Sequence, residues 1–574
     1  MKDKVMETYK LWLESDYIDP DDKKELKDLN YKEIEERFYT NLSFGTAGMR
    51  GIRGIGTNRI NKYIVRKATQ GLANYIIKTT GQEGMDKGVA IAYDCRIGSS
   101  EYAMNAALVL AGNGIKTYLY ESLRTTPELS FTIRELGAQS GIVVTASHNP
   151  QEYNGYKVYW DIGCQIVEPE ASGIISEVNN VEDFKNIKMI TMEEAKEKGL
   201  LEIIGKEIDD KFIEAVKKEA INVNIPGKKD YKIVYSPLHG TAGRPVKRIL
   251  SEMGFDSVHV VKEQEVPDGM FPTCSYPNPE DRTVFKLSTK LADDIGANLC
   301  IGNDPDGDRT GIAVKTKAGQ WIYPNGNQIG MILMDYILKN TENIPKNGAV
   351  VSTIVSTPML DEIAKKYKVK MYRTLTGFKY IGEKIEEFKT GKLDGTYLFG
   401  FEESIGYLKG THVRDKDAVV ASLLISEIGA YYDSIGSSIA EELDRIYEKY
   451  GWFGEDVISI VKKGMDGAKA IKKIMKTLRE KEIKNMIGKK VISLKDFKKS
   501  IEIDFENCHR KTIELPKSNV LQFTLEDDIL ITVRPSGTEP KIKYYIYVKG
   551  KTKEESELGI KEVSEQFVEF VDSL

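Results

Sequence analysis

The stretch LGAQSGIVVTASHNP, at 136–150, contains the pattern that predicts the fold. A Gly-Ala turn leads into the apolar run GIVV, which ends in a polar loop, as expected for a buried strand whose carboxyl end faces a binding site. IGANLCIGNDPDGDR at 295–309 repeats the order of turn, strand and polar loop, and LDGTYLFGFEES at 393–404 follows a looser version. Either the three units are similar by chance, or three related domains each present one loop from the same strand end.

Short β-rich apolar runs alternate with helical stretches through most of the chain. GVAIAYD, KIVYSP and AVVSTIVST, at 88–94, 232–237 and 349–357, predict buried strands, and EYAMNAALVLAGNG at 101–114 predicts a helix. This alternation is typical of α/β domains with mixed, largely parallel sheets.

The last part of the chain has a different pattern. From about residue 455 it is rich in lysine, and apolar residues recur at helical spacing, which predicts a solvated amphipathic helix rather than a basic binding patch. These residues are Ile471, Ile474, Met475 and Leu478. ILITV, RPSGTEP and KIKYYIYV, within 529–548, then predict strand, loop and strand. We therefore expect a smaller C-terminal α+β domain.

The length of 574 residues, at about 150 residues per domain, predicts about four domains. We place three related α/β domains at 1–204, 205–315 and 316–452. The C-terminal domain is expected at 453–574. Each domain then contributes one polar loop.

The composition argues against several classes of function. Lys and Arg number 82 against 87 Asp and Glu, and a net charge of -5 argues against a general binder of nucleic acid or membrane surfaces. The five cysteines form no C-x-x-C pair, which predicts reduced thiols and a cytoplasmic location. No signal-peptide pattern or long apolar span is found, so we expect neither secretion nor a membrane anchor. No obligate protein partner is indicated.

The loop NDPDGDRTG carries three alternating carboxylates, those of Asp304, Asp306 and Asp308. In an extended backbone they project to one side, where like charges about 4 Å apart repel by roughly 4 kcal/mol per pair at an effective dielectric of 20. A divalent cation removes this conflict, and hard oxygen ligands suit Mg²⁺. The EF-hand pattern does not fit, because Gly307 is fourth instead of sixth and Lys315 replaces the final glutamate. An acidic turn without metal is the alternative.

The motif RPSGTEPK predicts a phosphate-binding loop. Arg534 offers a planar fork for a phosphate, and Ser536 and Thr538 offer hydroxyls. Gly537 lets backbone N–H groups approach an anion closely. Pro-Ser-Gly-Thr also makes ordinary turns, so the phosphate interpretation depends on the acidic loop that accompanies it.

The motif TASHNP places Ser147 and His148 at the end of an apolar strand. It lacks the G-x-S-x-G pattern of serine hydrolases, which makes a hydrolase a poor fit. A serine that cycles through a phosphoester needs a cation, a separate phosphate anchor, and acid or base groups. The acidic loop supplies the first and the Arg534 loop the second, while His148 and Lys157 are candidates for the third.

Four motifs, TASHNPQEYNGYKVY, NDPDGDR, GFEESIGY and RPSGTEPKIK, occur in this order and resemble the active-site loops of the α-D-phosphohexomutase superfamily. The similarity is greatest to its bacterial phosphoglucomutases, with related phosphopentomutases nearby. It covers nearly the whole chain, beginning at FGTAGMRG, 44–51. The resemblance implies a heart-shaped, four-domain isomerase with one loop from each domain around a central cleft.

The resemblance also implies roles for individual residues. Ser147 would carry a phosphate, one oxygen of which would join the three aspartates as a Mg²⁺ ligand. The residues implied near the transferring phosphate are Arg50, His148 and Lys157, with Arg309 directly after the metal loop as a substrate contact. Those implied to bind the sugar and recognise its hydroxyls are Thr376, Gly377, Glu402 and Ser404. Those implied to clamp the distal phosphate are Arg534, Ser536, Gly537 and Thr538.

The implied reaction is reversible phosphate transfer between positions 1 and 6 of a hexose, through phosphoserine and glucose 1,6-bisphosphate. We expect α-glucose 1-phosphate to be preferred and the last domain to close as a lid. Mannose and pentose phosphates stay open as substrates, because GFEESIGY departs from the commoner G-E-M-S-G-H form. A metal-dependent sugar phosphatase and a non-catalytic sugar-phosphate sensor are further alternatives, although a sensor should have lost Ser147 or a metal ligand.

Three residues have plainer interpretations beside the functional one. Arg50 lies in the glycine-rich GTAGMRG and could merely close a turn. His239 in SPLHGTAG has no partner motif, so we expect it to be structural. Glu403 is expected to point away from the sugar or to pair with a basic side chain.

Overall fold

The protein is described by a computed structural model that covers residues 2–45, 48–461, 464–481, 483–536 and 541–574. Four β-sheets follow one another along the chain, with six, five, four and eight strands. The first three are mixed sheets with helices between their strands, and the fourth is antiparallel. The predicted class of three α/β domains and a C-terminal domain that mixes strands and helices is confirmed.

The first sheet follows three N-terminal helices. These are α1 (Lys2–Glu14), α2 (Pro20–Lys27) and α3 (Tyr31–Phe38). The next elements are β1 (Gly48–Ile52), α4 (Lys62–Lys87), β2 (Val89–Tyr93), α5 (Ser99–Gly112), β3 (Thr117–Tyr120), α6 (Thr126–Leu136), β4 (Ser140–Val144), β5 (Tyr153–Trp160), α7 (Glu170–Asn180), α8 (Met192–Glu197) and β6 (Leu201–Ile204). The strand order is β1-β5-β4-β2-β3-β6, and the last four strands of that order are parallel.

The second sheet has two parallel and two antiparallel strand pairs. Its elements are α9 (Lys206–Lys217), β7 (Ile233–Ser236), α10 (Gly243–Glu252), β8 (Val258–Val260), α11 (Lys262–Glu265), α12 (Lys286–Ile295), β9 (Leu299–Asn303), β10 (Thr310–Lys315) and β11 (Trp321–Ile322). The order is β11-β10-β9-β7-β8. Because β11 pairs with β10, the second sheet continues past residue 315 to Ile322.

The third sheet is the smallest and lies against two long helices. Its elements are α13 (Gly326–Asn340), β12 (Gly348–Thr353), α14 (Met359–Tyr367), β13 (Lys370–Thr374), α15 (Phe378–Lys389), β14 (Thr396–Glu402), β15 (Gly406–Lys409), α16 (Ala418–Ser434) and α17 (Ile439–Tyr450). The order is β13-β12-β14-β15, with β14 and β15 antiparallel. The strand predicted at 349–357 ends at Thr353, where the hydroxyl of Ser356 contacts Thr353 Oγ1 at 2.9 Å and a turn begins.

The fourth sheet carries one helix before its hairpins and one at the C-terminus. Its elements are β16 (Trp452–Val461), α18 (Gly464–Glu480), β17 (Asn485–Met486), β18 (Lys489–Asp496), β19 (Ile501–Asp504), β20 (His509–Thr512), β21 (Leu521–Leu525), β22 (Ile529–Pro535), β23 (Lys541–Gly550) and α19 (Lys553–Asp572). The main order is β16-β23-β22-β21-β18-β19-β20, and β17 pairs with β18. The predicted apolar positions of α18 are buried against this sheet, and Lys472 and Lys473 between them are exposed.

The three quoted loops occupy equivalent positions in the first three sheets. The loops follow β4, β9 and β14, and in each case the chain returns as an antiparallel neighbour, β5, β10 or β15. Each loop is therefore the turn of a β-hairpin built onto a parallel sheet. This shared arrangement supports the interpretation of the sequence echo as three related domains.

Among the described residues, no single helix is long and apolar enough to cross a membrane. The bent pair α16 and α17 meets the length and composition limits only when its two members are joined. Nearly all of α16 is buried within the protein.

Candidate active site

Ser147 lies in the turn between β4 and β5, where its backbone adopts a positive φ of 52°. Its N–H donates to Thr145 Oγ1 at 2.8 Å, and the residue is 2% exposed. Ser147 Oγ donates to Asp304 Oδ2 at 3.0 Å and lies 3.2 Å from His148 Nδ1. A left-handed conformation is uncommon for a residue with a Cβ, so the surrounding contacts must hold the hydroxyl at this point.

The three predicted aspartates form one buried group. One carboxylate oxygen from each of Asp304, Asp306 and Asp308 lies within 4.8 Å of the others. Asp304 Oδ1 accepts from the backbone N–H of Asp308 at 3.1 Å, which leaves Oδ2 facing the serine. Oδ1 of Asp306 and Oδ1 of Asp308 are buried and have no hydrogen-bond partner among the described residues. Buried carboxylate oxygens without a hydrogen-bond donor are suitable ligands for a hard cation. These residues therefore fit a metal site.

The first domain supports the acidic loop from one side. The backbone N–H of Thr126, at the start of α6, donates to the carbonyl of Asp306 at 2.8 Å, and Thr126 Oγ1 donates to Asp306 Oδ2 at 3.0 Å. Gly307 has a φ of 67°, and a Cβ there would approach the side chain of Thr125 to 2.7 Å. A helix N-terminus favours negative charge, so α6 both positions and stabilises the carboxylate of Asp306.

Two lysines from different domains reach the acidic group. Lys157 Nζ, on β5, lies 2.7 Å from Asp306 Oδ2. Lys416 Nζ, just before α16, lies 3.1 Å from both Asp308 Oδ2 and Asp415 Oδ1. Burial lowers the pKa of Lys416, but the neighbouring carboxylates outweigh burial and raise the pKa above its usual value. Lys416 is therefore a buried, charged member of the site.

The three aspartates differ in their proton affinity. Burial, together with the charge of Asp306, raises the pKa of Asp304 and of Asp308. Burial opposes ionisation of Asp306 as well, but Lys157 and the hydrogen bond from it hold the pKa of Asp306 well below its usual value. Asp306 is therefore the member whose ionised form the protein itself stabilises most.

His148 contacts the serine hydroxyl, and Arg50 contacts the same turn at Asn149. Burial and the charges of Arg309 and Arg50 hold the pKa of His148 well below its usual value, so its imidazole is neutral near pH 7. The ring packs edge-on against Tyr276, with 5.7 Å between the ring centres. Arg50, on β1, is exposed and donates to Asn149 Oδ1 at 3.0 Å. Arg50 therefore contacts the turn that carries Ser147 through the side chain of Asn149.

Arg309 follows the acidic loop directly and remains at its edge. Its Nε lies 3.9 Å from Asp304 Oδ2 and 3.8 Å from Asp308 Oδ1, distances too long for hydrogen bonds. Nε is buried and has no hydrogen-bond partner in the described part of the chain. Its charge also acts on Glu402 of the third domain.

The predicted sugar-reading residues lie at the end of β14 and at the start of α15. Glu402 Oε1 accepts from the backbone N–H of Gly377 at 2.7 Å, and Glu402 is 7% exposed. Burial raises the pKa of Glu402, while Lys416 opposes that rise. Thr376 and Ser404 flank this contact and are half-buried. The two loops of the third domain are thus joined through the Glu402 carboxylate.

Glu403 lies between the third domain and the last one. Its Oε2 accepts from Thr353 Oγ1 at 3.0 Å, so the carboxylate is bonded to a hydroxyl. Burial raises its pKa, and the charges of Arg534 and Lys543 oppose that rise. The expected basic neighbour of Glu403 is therefore present as a nearby charge, without a direct ion pair among the residues that the structure describes.

The structure describes only part of the predicted phosphate-binding loop. Arg534 lies at the end of β22 and is half-buried, and the N–H of Ser536 donates to the carbonyl of Lys541 at 2.7 Å. Gly537 and Thr538 lie outside the described residues. Of this loop, the charge of Arg534 acts on Glu403 of the third domain.

Four residues near the serine or the acidic loop were not singled out from the sequence. They are Arg96, Thr126, Tyr276 and Lys416. The charge-rich run RDKDA before an apolar helix was the one available signal for Lys416, and the charged pair in AYDCR was the signal for Arg96. His239, expected to be structural, is 2% exposed, with Nε2 2.8 Å from Thr273 Oγ1.

Comparison with protein families gives three consecutive matches. The models described as phosphoglucomutase/phosphomannomutase, alpha/beta/alpha domains I, II and III match residues 41–185, 210–319 and 325–450. Each matched range contains one of the three hairpin loops.

Two solved structures show the same fold at low sequence identity. A putative phosphomannomutase from Thermus thermophilus superposes with a TM-score of 0.66 at 20% identity, over 92% of this chain and 99% of that one. The open form of pp63/parafusin, a phosphoglucomutase from Paramecium, gives a TM-score of 0.66 at 18% identity, over 93% and 95%.

Relatives of known name are similar over nearly the full length. A phosphoglucomutase from Staphylococcus epidermidis (strain ATCC 12228) is 36% identical over 538 residues, which cover 93% of this chain and 96% of the relative. A phosphoglucomutase from Staphylococcus aureus (strain MRSA252) is 35% identical over 520 residues, 90% of this chain and 92% of the relative. The chain belongs to the phosphoglucomutase/phosphomannomutase family and is an isomerase of the phosphate-transferring type.

Proposed function

We propose that this protein is a phosphoglucomutase that interconverts α-D-glucose 1-phosphate and glucose 6-phosphate. Phosphorylated Ser147 donates its phosphate to the free hydroxyl, glucose 1,6-bisphosphate forms and turns around, and the opposite phosphate returns to Ser147. One observation carries the proposal: Ser147 Oγ lies 3.0 Å from Asp304 Oδ2, within a buried carboxylate group that fits a metal. The relatives named phosphoglucomutase support glucose as the sugar.

The charges around the acidic group favour a cation and a phosphoserine together. Three carboxylates lie within 4 Å of three cations, those of Lys157, Lys416 and Arg309. The group is therefore near balance, and phosphorylation adds about -1.5 to -2 charges that a divalent cation would neutralise. The three aspartates would hold Mg²⁺, which supplies a Lewis acid for the phosphoryl oxygens.

Two groups are placed to move protons. The neutral His148 has Nδ1 3.2 Å from Ser147 Oγ, where it can accept the hydroxyl proton when Ser147 takes up a phosphate and return the same proton when the phosphate leaves. Lys157 lies on the same hairpin and contacts Asp306, and it is our candidate for the acid or base at the sugar hydroxyl. Arg50 and Arg309 border this point and offer positive charge to the transferring group.

The third and fourth domains supply the other end of the site. Glu402 and Ser404 are our proposed readers of the sugar hydroxyls. Arg534 and its loop are our proposed clamp for the phosphate that is not reacting. Because the bisphosphate must present both ends in turn, the last domain is expected to open and close. Burial raises the pKa of Glu403 and the charges of Arg534 and Lys543 act to lower it, which supports a last domain that faces the third domain at this point.

The remaining proposals concern domains and location. We propose domains at 1–204, 205–322, 323–452 and 453–574, with the second extended to include β11. All five cysteines are free, which supports a reducing, cytoplasmic location. The partner we propose is a small sugar phosphate, in keeping with the modest net charge of -5.

A coupled assay with glucose 1-phosphate tests the proposed function. Ser147→Ala should lower turnover by several orders of magnitude. Ser140→Ala is the matched control, because Ser140 is a buried serine on β4 whose Oγ donates to the carbonyl of Tyr159 at 2.7 Å, away from the acidic loop. Near-normal turnover of Ser147→Ala would exclude a phosphoserine enzyme, and inorganic phosphate released as fast as the isomer forms would favour a phosphatase.

A further inference from the structure

A buried guanidinium lies beneath the turn that carries Ser147. Arg96 follows β2 and is 2% exposed. Its Nη2 donates to the carbonyl of Ser147 at 2.6 Å and also to that of Asn149. Its Nη1 donates to the carbonyls of Pro150 at 2.8 Å and Tyr153 at 3.1 Å. One side chain therefore binds four carbonyls of the seven-residue segment that begins at the serine.

Neighbours from two domains fix the guanidinium. Asp94 Oδ2 lies 3.3 Å from Arg96 Nε, and Asp94 Oδ1 accepts from the N–H of Arg96 at 2.9 Å. The ring of Phe271, from the second domain, lies 4.9 Å from the guanidinium carbon. A Cβ on Gly269 would come within 2.9 Å of Arg96 Cα, so that segment packs directly on the arginine backbone. The guanidinium is thus held on several sides before any substrate binds.

This arrangement has a specific consequence for the serine. Ser147 has a positive φ, and its carbonyl would be buried without a donor if Arg96 were removed. A buried carbonyl that loses its donor is unfavourable, so the turn would rearrange to find another. A lysine has one point charge on a flexible stem and cannot reproduce four bonds from a planar fork.

We propose that Arg96 is a positioning residue that fixes Ser147 Oγ between Asp304 and His148. The proposal rests on the proposed phosphoserine function and extends it to a residue that does not touch the substrate. A displacement of about 1 Å at a reacting atom lowers a rate by about 100-fold. We therefore expect Arg96→Lys to lower kcat by about 100-fold and to change the KM for glucose 1-phosphate by about threefold or less.

Single-turnover phosphorylation separates positioning from folding. Enzyme without phosphate is mixed with glucose 1,6-bisphosphate and Mg²⁺, and the phosphate on Ser147 is followed by mass spectrometry. Arg96→Lys and Arg96→Met should reach full phosphorylation with a rate constant about 100-fold lower. A lower final amplitude with the wild-type rate constant would mean a partly misfolded enzyme and would overturn the proposal.

A matched control keeps the interpretation specific. Arg59 is 8% exposed, donates to the carbonyl of Asn58 at 3.1 Å and pairs with Glu36 at 2.8 Å. Arg59→Lys disturbs a comparable buried guanidinium away from the serine, so its phosphorylation rate should equal that of the wild type. An equal loss of rate in Arg59→Lys and Arg96→Lys would contradict a specific role for Arg96.

A milder variant tests the same contact if the Arg96 variants do not fold. Phe271→Leu keeps an apolar side chain but removes the ring face from the guanidinium, which should slow phosphorylation by about 2- to 10-fold. An unchanged rate in Phe271→Leu would then overturn the proposal. The two proposals fail differently, because an active Ser147→Ala would remove the phosphoserine function itself. If Ser147→Ala were inactive but Arg96→Lys were phosphorylated at the wild-type rate, only the role of Arg96 would be excluded.

Discussion

Replacing Lys416 by methionine removes one charge and keeps most of the aliphatic stem. Lys416 Nζ lies 3.1 Å from Asp308 Oδ2 and 3.1 Å from Asp415 Oδ1, and the side chain is 9% exposed. Two unit charges about 3 Å apart interact by roughly 5 kcal/mol at an effective dielectric of 20. Removing one partner of a buried pair costs about 3–5 kcal/mol, because the other charge stays buried. We expect this destabilisation for Lys416→Met when no metal is present.

The same substitution should strengthen the binding of a divalent cation. It removes a positive charge from beside a proposed metal ligand, and a cation that binds only the folded state stabilises it in proportion to its affinity. Urea denaturation, followed by circular dichroism in EDTA and again in excess Mg²⁺, measures both effects. Added Mg²⁺ should raise the denaturation midpoint of Lys416→Met more than that of the wild type.

Lys489→Met is the matched control for a surface pair. Lys489 Nζ lies 2.6 Å from Asp527 Oδ2, but the two side chains are 39% and 67% exposed, so the loss should be below about 1 kcal/mol. If Lys416→Met in EDTA were as stable as Lys489→Met, the charge balance inferred for the acidic group would be wrong. A variant that gained no more from Mg²⁺ than the wild type would refute the proposed coupling to the metal.

Three further predictions concern the metal, the sugar and pH. Chelation should abolish activity and Mg²⁺ restore it, while Asp306→Asn should weaken metal binding and turnover together; full activity after exhaustive chelation would exclude the metal. Glu402→Gln should lower kcat/KM about 10- to 100-fold and reduce the preference for glucose 1-phosphate over mannose and ribose 1-phosphates. Measuring kcat/KM for the three sugars in both proteins tests this. A wild type that prefers mannose or ribose 1-phosphate would contradict the assignment. Burial raises the pKa of Glu128 from 4.5 to about 7, so the stability that its protonated form contributes is complete below about pH 4.5 and is lost as the pH rises through about 7. The fall in melting temperature between pH 5 and pH 8 should therefore be smaller in Glu128→Gln than in the wild type, and equal falls would show that Glu128 does not cause it.

The local pattern of the sequence predicted the loops well. Each of β4, β9 and β14 contains a mostly apolar run that ends at a polar segment, and such a boundary is visible without any knowledge of tertiary contacts. The alternating aspartates also carried their own signal, because three like charges in one loop require compensation. Sequence reasoning therefore located Ser147 and the acidic group as candidates, and the structure describes them 3.0 Å apart.

The supporting contacts were not predictable because they join distant parts of the chain. Thr126 resembles an ordinary residue at the start of a helix, yet its hydroxyl bonds to Asp306, 180 positions away. Lys416 belongs to a charged run, and such a run predicts a solvent-exposed segment. In the structure, packing buries Lys416 against Asp308. The strand predicted to extend to 357 stops at Thr353 because local hydroxyl contacts favour a turn there. Propensity and spacing do not report such contacts.

Mass spectrometry of the enzyme during turnover tests the central claim most directly. After incubation with glucose 1,6-bisphosphate, one phosphate should be found on the peptide that contains Ser147. Addition of glucose 1-phosphate or glucose 6-phosphate should remove that phosphate and form the bisphosphate in equal amount. A phosphate on a different residue, or one that leaves Ser147 only as inorganic phosphate, would contradict the phosphoserine mutase that we propose.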